Sequence, residues 1–328
     1  MAEGALLDVS DLVVDFRTPR GRLRAVDGVS FSLERGRTLG LVGESGSGKS
    51  VTSLAIPRLL APTAEVVSGR ILFEGRDLVR ASERDLRSLR GAGISMIFQE
   101  PMTSLNPLMR VGEQVAEVVR LHESVSRSEA WQRAVEMLGL VGIADPERRA
   151  RSWPHELSGG MRQRVMIAMA VVCRPALLIA DEPTTALDVT IERQILALLA
   201  EMRERFGMSV LLITHDLGVV AQEAEEVAIL YSGRIVERAA TASVFAAPAH
   251  PYTRLLLDSL PDLHARSERL AAIPGTIPEP HARPSGCRFR DRCWKAAPEC
   301  EAAEPVLAAQ PGAGAVACAF PLAAGERP

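Results

Sequence analysis

Lysine is almost missing from this sequence. Its 38 basic residues include only Lys49 and Lys295 as lysines, and arginine serves everywhere else. A basic excess is missing too: 38 basic residues stand against 41 acidic ones, a formal net charge of −3. Without a basic face the chain has no electrostatic footprint for DNA or RNA. Long apolar runs are also lacking. The longest, residues 165–173, is about half of what a bilayer span requires. Met1-Ala2-Glu3-Gly4 supplies neither the basic nor the apolar stretch of a signal peptide. The expectation is a chain made and kept in the cytosol, where partners can still hold it against a membrane. Cysteine is absent before Cys173 and then clusters near the C-terminus as Cys287, Cys293, Cys300 and Cys318. In a reducing cytosol such a cluster favours metal binding over disulfides. What is present is apolar residue: 47% of 328 residues are hydrophobic, enough for a sizeable core in one large domain plus extras, or in two domains.

The chain is organised around Gly43-Glu44-Ser45-Gly46-Ser47-Gly48-Lys49-Ser50. The apolar run Thr38-Leu39-Gly40-Leu41-Val42 precedes it, and residues 51–60 read as helix. Strand, G-x-x-x-x-G-K-S and helix, in that order, are the context of a phosphate-binding P-loop. Its glycines let consecutive N–H groups turn inward, and the helix N-terminus adds positive dipole. Lys49 would reach the β- and γ-phosphates, and the Ser50 hydroxyl would ligate Mg²⁺. A Gly/Ser turn that happens to hold a lysine is the plain alternative. Composition weighs against it, because a chain that uses arginine nearly everywhere keeps a compact ammonium here.

Around the loop the pattern is α/β. Residues 6–16 and 25–33 read as antiparallel strands joined by a turn, and residues 69–73 as part of an edge hairpin. Phe16 reads as core, with an adenine platform as the alternative. Residues 94–98 form a short buried strand ending at Gln99. Helical periodicity over residues 111–121, 127–140 and 145–151, with no strand between, marks an inserted helical segment of about residues 100–157.

Three further stretches carry chemistry. Leu157-Ser158-Gly159-Gly160-Met161 opens a long helix, and two glycines after a serine there make a second backbone anion site or a simple N-cap. Residues 177–182 form an apolar strand ending in Asp181 and Glu182, which is where α/β sheets place ligand groups. Asp181 would hold Mg²⁺, and Glu182 would polarise a water for attack on the γ-phosphate. The strand of residues 209–214 ends at His215, either a satisfied polar residue or a γ-phosphate contact.

Together these residues resemble the ATP-binding subunits of ABC transporters. The ordered set is the P-loop (43–50), Gln99, the signature motif (157–161), Asp181-Glu182, the Ala186-Leu187-Asp188 loop and His215. The resemblance implies a P-loop NTPase of the ABC type. It has a RecA-like parallel sheet core, an antiparallel β subdomain and an inserted helical subdomain over residues 1–250, followed by a small cysteine-containing extension over residues 251–328. It implies head-to-tail pairing, in which Leu157, Ser158, Gly159, Gly160 and Met161 act in trans on the partner's ATP. Gln99 would sense Mg²⁺ and water, Asp188 would lie at the dimer seam, and an aromatic at Phe16 would stack on adenine.

The stretches Phe98-Gln99-Glu100-Pro101-Met102-Thr103-Ser104-Leu105-Asn106-Pro107 and 154–164 are similar to the oligopeptide/dipeptide importer ATPases. So are His250-Pro251-Tyr252-Thr253-Arg254 and Gly286-Cys287-Arg288-Phe289. The implied function is an ATPase subunit that powers peptide import at the cytoplasmic face of the membrane. Its implied partners are a second ATPase (a related chain or a second copy), two permeases and an extracytoplasmic binding protein. Nickel importers share much of the pattern, and a soluble ABC-type ATPase without a membrane partner is the rival from another class. Some members of the group bind a [4Fe–4S] cluster, and the resemblance places it on Cys287, Cys293, Cys300 and Cys318, with zinc and then free thiols as the alternatives. Arg288, Arg290 and Arg292 would offset thiolate charge there, and a metal would supply order that burial cannot.

Overall fold

The structure, a computed structural model, describes residues 4–98, 104–185, 188–260, 273–310 and 314–328. Two long strands, β1 (Ala5–Thr18) and β2 (Gly21–Glu34), open the chain. The buried strand β3 (Thr38–Val42) leads through the glycine-rich loop to helix α1 (Lys49–Ala55). This helix stops short of the expected residue 60, because Pro57 has no N–H to continue the ladder and Arg58 turns at a φ of 54°. Next come the hairpin strands β4 (Ala64–Phe73) and β5 (Arg76–Asp77). The short helix α2 (Glu83–Leu89) went unnoticed in the sequence; Ser82 caps it by accepting the Asp85 N–H at 3.2 Å.

Strand β6 (Ile94–Ile97) ends before Phe98, which is 43% exposed rather than part of a buried strand. The helical stretch contains α3 (Val111–His122), α4 (Arg127–Leu140) and α5 (Pro146–Arg149). Helix α6 (Gly159–Val171), strand β7 (Leu177–Asp181), helix α7 (Val189–Phe206) and strand β8 (Ser209–Thr214) follow. Gly207, at a φ of 64°, ends α7 in the left-handed conformation that glycine tolerates. The remainder holds α8 (Leu217–Glu223), β9 (Glu226–Tyr231), β10 (Arg234–Ala240), α9 (Thr241–Ala246) and α10 (Pro251–Asp258). Last come α11 (Glu299–Ala302), β11 (Ala308–Gln310) and β12 (Gly314–Val316).

These elements fall into two compact units. One comprises Met1–Leu33, Thr38–Arg80 and Leu212–Pro328; the other comprises Glu34–Arg37 and Ala81–Leu211. The first unit contains an antiparallel sheet in the order β2-β1-β4-β5 and a second sheet in the order β11-β12-β10-β9-β3. In that second sheet β3 runs parallel to β9, with Leu39 opposite Glu226 and Val42 opposite Ile229. In the second unit β6 runs parallel to β7, and α3 packs on α4 through Val115, Val119, Ala130, Ala134 and Leu138, all buried.

The C-terminal segment holds regular structure of its own. Strand β12 pairs with β10, placing Glu237 opposite Val316, and β11 pairs with β12 in turn. Phe289, 1% exposed, packs edge-on against Tyr231 at 5.2 Å and lies tilted against Tyr252 at 5.3 Å. Burial and strand pairing therefore contribute order to this segment.

Candidate nucleotide site

In the first unit the buried β3 delivers the chain to Gly43. A Cβ there would lie 2.1 Å from the Leu230 carbonyl oxygen, so only glycine fits. Gly48 turns at a φ of 105° immediately before α1. Lys49, 5% exposed, folds back across the loop, and its Nζ donates to the carbonyls of Gly43 at 2.7 Å and Glu44 at 3.0 Å. The buried Ser47 hydroxyl has no hydrogen-bond partner among the described residues. Ser50 is half-buried on the first turn of α1. The curled loop, crossed by an ammonium and opening onto a helix N-terminus, suits a nucleotide's phosphates. His215, at the end of β8 in this same unit, is exposed. Phe16 is half-buried on β1 opposite Ala64, neither sealed in the core nor fully open.

In the second unit the buried β7 ends at Asp181, which is 4% exposed. Glu182 follows at a φ of 47°, a strained value for a non-glycine residue, and its carboxylate accepts the Thr185 hydroxyl at 2.8 Å. The buried Gln163 of α6 fixes the same turn by donating to the Pro183 carbonyl at 2.5 Å. Asp188 caps α7, accepting the Thr190 and Ile191 N–H groups at 3.1 and 3.0 Å. Ser158 caps α6 by accepting the Met161 N–H at 3.4 Å, while Leu157 is buried. Gly159 is exposed with open space beside it, and Gly160 lies against Ile191. The start of α6 is therefore exposed at Ser158 and Gly159. Gln99, Ala186 and Leu187 lie outside the described residues.

Comparison with known proteins agrees with this arrangement. A model of the ABC transporter family matches residues 26–185, and one of the oligopeptide/dipeptide transporter C-terminal region matches residues 236–300. A probable peptide ABC transporter ATP-binding protein of Sinorhizobium fredii is 54% identical over 316 residues, 95% of this chain and 94% of the relative. The chain belongs to the ATP-binding proteins of peptide ABC transporters. The dipeptide transport ATP-binding protein DppD of Escherichia coli is 48% identical over 324 residues, 99% of each chain. Among solved structures, the ATP-binding cassette MJ0796, a dimer bound to ADP and Pi, superposes with a TM-score of 0.65 at 26% identity. The match covers 72% of this chain and 98% of that one. The fold is thus that of the ABC nucleotide-binding domain. No helix among the described residues is long and apolar enough to cross a membrane.

The four C-terminal cysteines of this family member are free thiols, three half-buried and Cys300 buried. Burial pushes the Cys287 thiol up to about 11 and those of Cys293 and Cys318 upward, with neighbouring thiols adding to the effect. All four cysteines enter these mutual interactions, so they lie near one another. Among the described residues, however, no three His, Cys, Asp or Glu side chains are grouped to hold one metal ion. The donor chemistry suits an iron–sulfur centre, but the grouping does not build a single-ion site.

The neighbouring arginines depart from expectation: they pair with carboxylates, not thiolates. Arg288 pairs with Asp27 and, at 3.1 Å, with Glu304; Arg290 lies 3.2 Å from Asp291; Arg292 forks onto Glu44. Sequence reasoning missed the Arg288–Asp27 and Arg292–Glu44 pairs, because no spacing rule joins residues 261 and 248 positions apart.

Proposed function

We propose that this chain is the ATP-hydrolysing subunit of a peptide importer. The observation carrying the reading is the glycine loop on buried β3, crossed by one of only two lysines, in a chain similar along nearly its whole length to peptide transport ATP-binding proteins. Residues 43–50 bind the triphosphate, Lys49 and the loop N–H groups meeting its charge, and Phe16 offers a face for adenine. Ser50 and Asp181, with Gln99, would hold Mg²⁺, which neutralises charge on the phosphates.

In hydrolysis the Glu182 carboxylate accepts a proton as the water oxygen attacks the γ-phosphorus and the bond to the ADP oxygen breaks. His215 steadies the γ-phosphate. Leu157 to Met161 act on the ATP of a second ATPase subunit, with Asp188 at the seam. ATP then favours the closed pair and hydrolysis the open one. Two permeases and an extracytoplasmic peptide-binding protein complete the assembly, which places the chain at the cytoplasmic face of the membrane. The names of the relatives favour peptide over nickel as cargo.

Cys287, Cys293, Cys300 and Cys318 are further proposed to bind a [4Fe–4S] cluster, supported by four free thiols near one another and no histidine among them. Anaerobic purification with iron, sulfide and zinc analysis tests that part; about four irons per chain supports it and zinc alone removes it.

The central test is Glu182→Gln. The variant is expected to bind MgATP with wild-type affinity while turnover falls at least about a hundredfold. Hydrolysis at the wild-type rate would remove Glu182 from the reaction.

A further inference from the structure

We propose that Arg292 is a positioning residue for nucleotide binding: from the C-terminal segment it clamps the phosphate-binding loop through Glu44. The inference rests on the reading of that loop as the ATP site.

The pair has the geometry of a built contact. Arg292 Nη1 and Nη2 each donate to a different Glu44 carboxylate oxygen, at 2.8 and 3.0 Å. Such a planar fork is the strong form of an ion pair, and lysine cannot reproduce it. The Arg292 side chain is only 5% exposed. Its Nε donates to the Pro274 carbonyl at 2.6 Å, and its guanidinium lies over the rings of Tyr231 and Phe289 at 5.7 and 5.9 Å. The arginine is therefore fixed before it reaches Glu44. It does not merely follow the loop.

Glu44 is held from its backbone as well. Its N–H donates to the Tyr252 hydroxyl at 3.0 Å, and its carbonyl accepts from Lys49 Nζ at 3.0 Å. Every polar part of this one residue is thus engaged, and two of the partners, Arg292 and Tyr252, come from the C-terminal part of the chain.

A second anchor grips the loop three residues on. The Gly233 N–H donates to the Ser47 carbonyl at 2.7 Å. The turn carrying Gly233 is itself pinned from the same segment. Arg283 Nε donates to the Ser232 hydroxyl at 3.0 Å, and Arg288 Nη1 donates to the Ser232 carbonyl at 2.6 Å. Ser45 and Gly46 are left as a short span between two fixed points.

A loop already ordered loses less entropy when it closes on phosphate, so the clamp raises ATP affinity without touching the reacting atoms. The signature is a change in KM or Kd with kcat retained.

The test uses the full chain, with MgATP binding by calorimetry, steady-state hydrolysis and thermal unfolding. Arg292→Met keeps the length and the packing but removes the fork. It is expected to weaken MgATP binding about five- to twentyfold, to raise KM in step, and to leave kcat within about twofold. Glu44→Gln, a change within the loop itself, is expected to weaken MgATP binding to a similar extent. The double variant should be no worse than either single one, since both remove a single contact. Arg292→Lys should recover only part of the loss.

Additive losses, wild-type affinity in either single variant, or a fall in kcat at constant KM would each overturn the inference. If Arg292→Met does not fold, Glu44→Gln and Glu44→Asp carry the test, Asp being too short to meet the fork. A wild-type chain that binds no MgATP overturns the nucleotide reading itself. Wild-type binding that is lost in Lys49→Ala but untouched in the clamp variants overturns the clamp alone.

Discussion

The glycine loop and the C-terminal segment lie in one unit and hold each other, yet they reach order by opposite means. The loop is ordered from within: Gly43 accommodates a close carbonyl, Gly48 turns at a φ of 105°, and Lys49 reaches back to carbonyls five and six residues away. The C-terminal segment is ordered from without. Phe289 packs against the touching rings of Tyr231 and Tyr252, β12 joins the edge of β10, and Arg288 and Arg292 find Asp27 and Glu44. Short-range order depends on which residues are neighbours in sequence, whereas long-range order depends on a fold that already exists.

Lys49→Ala should draw the line between the two most sharply. It removes a charge from the loop's centre and is expected to cost at least about a hundredfold in MgATP affinity, with the unfolding midpoint near that of wild type. Calorimetric titration alongside thermal melting checks both halves; a large loss of stability would break the distinction.

Phe289→Ala probes the other side. Emptying a site that is 1% exposed should destabilise the unit by about 3–5 kcal/mol, measured by denaturant unfolding. A smaller effect would mean that the segment is ordered chiefly by its ion pairs.

The third prediction is smaller and concerns pH. His250 is fully buried, its Nδ1 accepts the Tyr252 N–H at 3.0 Å, and burial pushes its pKa down to about 3. The unfolded chain binds the proton from about pH 6.5 downward and the folded chain does not. Stability is therefore lost as pH falls from about 6.5 towards 3, by up to about 1.4 kcal/mol per unit. Nearby Glu237, its carboxyl raised by burial, works in the opposite sense at acid pH. The His250 share is thus the difference between wild type and His250→Asn, which keeps a helix-capping acceptor. An equal acid slope in both proteins would remove His250 as the cause.

The same contrast explains what was legible. The P-loop, the strand ends at Asp181 and His215, and the helices over Arg127–Leu140 and Val189–Phe206 each announce themselves within a few residues by glycine, apolar runs or periodicity. Helix α2 was missed because seven residues with one buried leucine, Leu86, give almost no periodic signal. Helix α1 was drawn too long because its apolar pattern runs on past Pro57. The role assigned to Arg288 and Arg292 was wrong for a different reason. Their neighbours in sequence are cysteines, and their neighbours in space are carboxylates. The partners that fix Glu182 and Asp188, Thr185 and two α7 N–H groups, emerge only from the folded turn.

The ion pair between Glu44 and Arg292 spans 248 residues of chain. A ribosome adding roughly 5–20 residues per second takes about 12–50 s to travel that distance. During that interval the loop and its lysine are already made and able to curl, but the arginine that steadies them does not yet exist. The nascent protein therefore carries a slack version of its most sequence-evident feature, and that feature tightens only when the last stretch of chain emerges and packs beneath it.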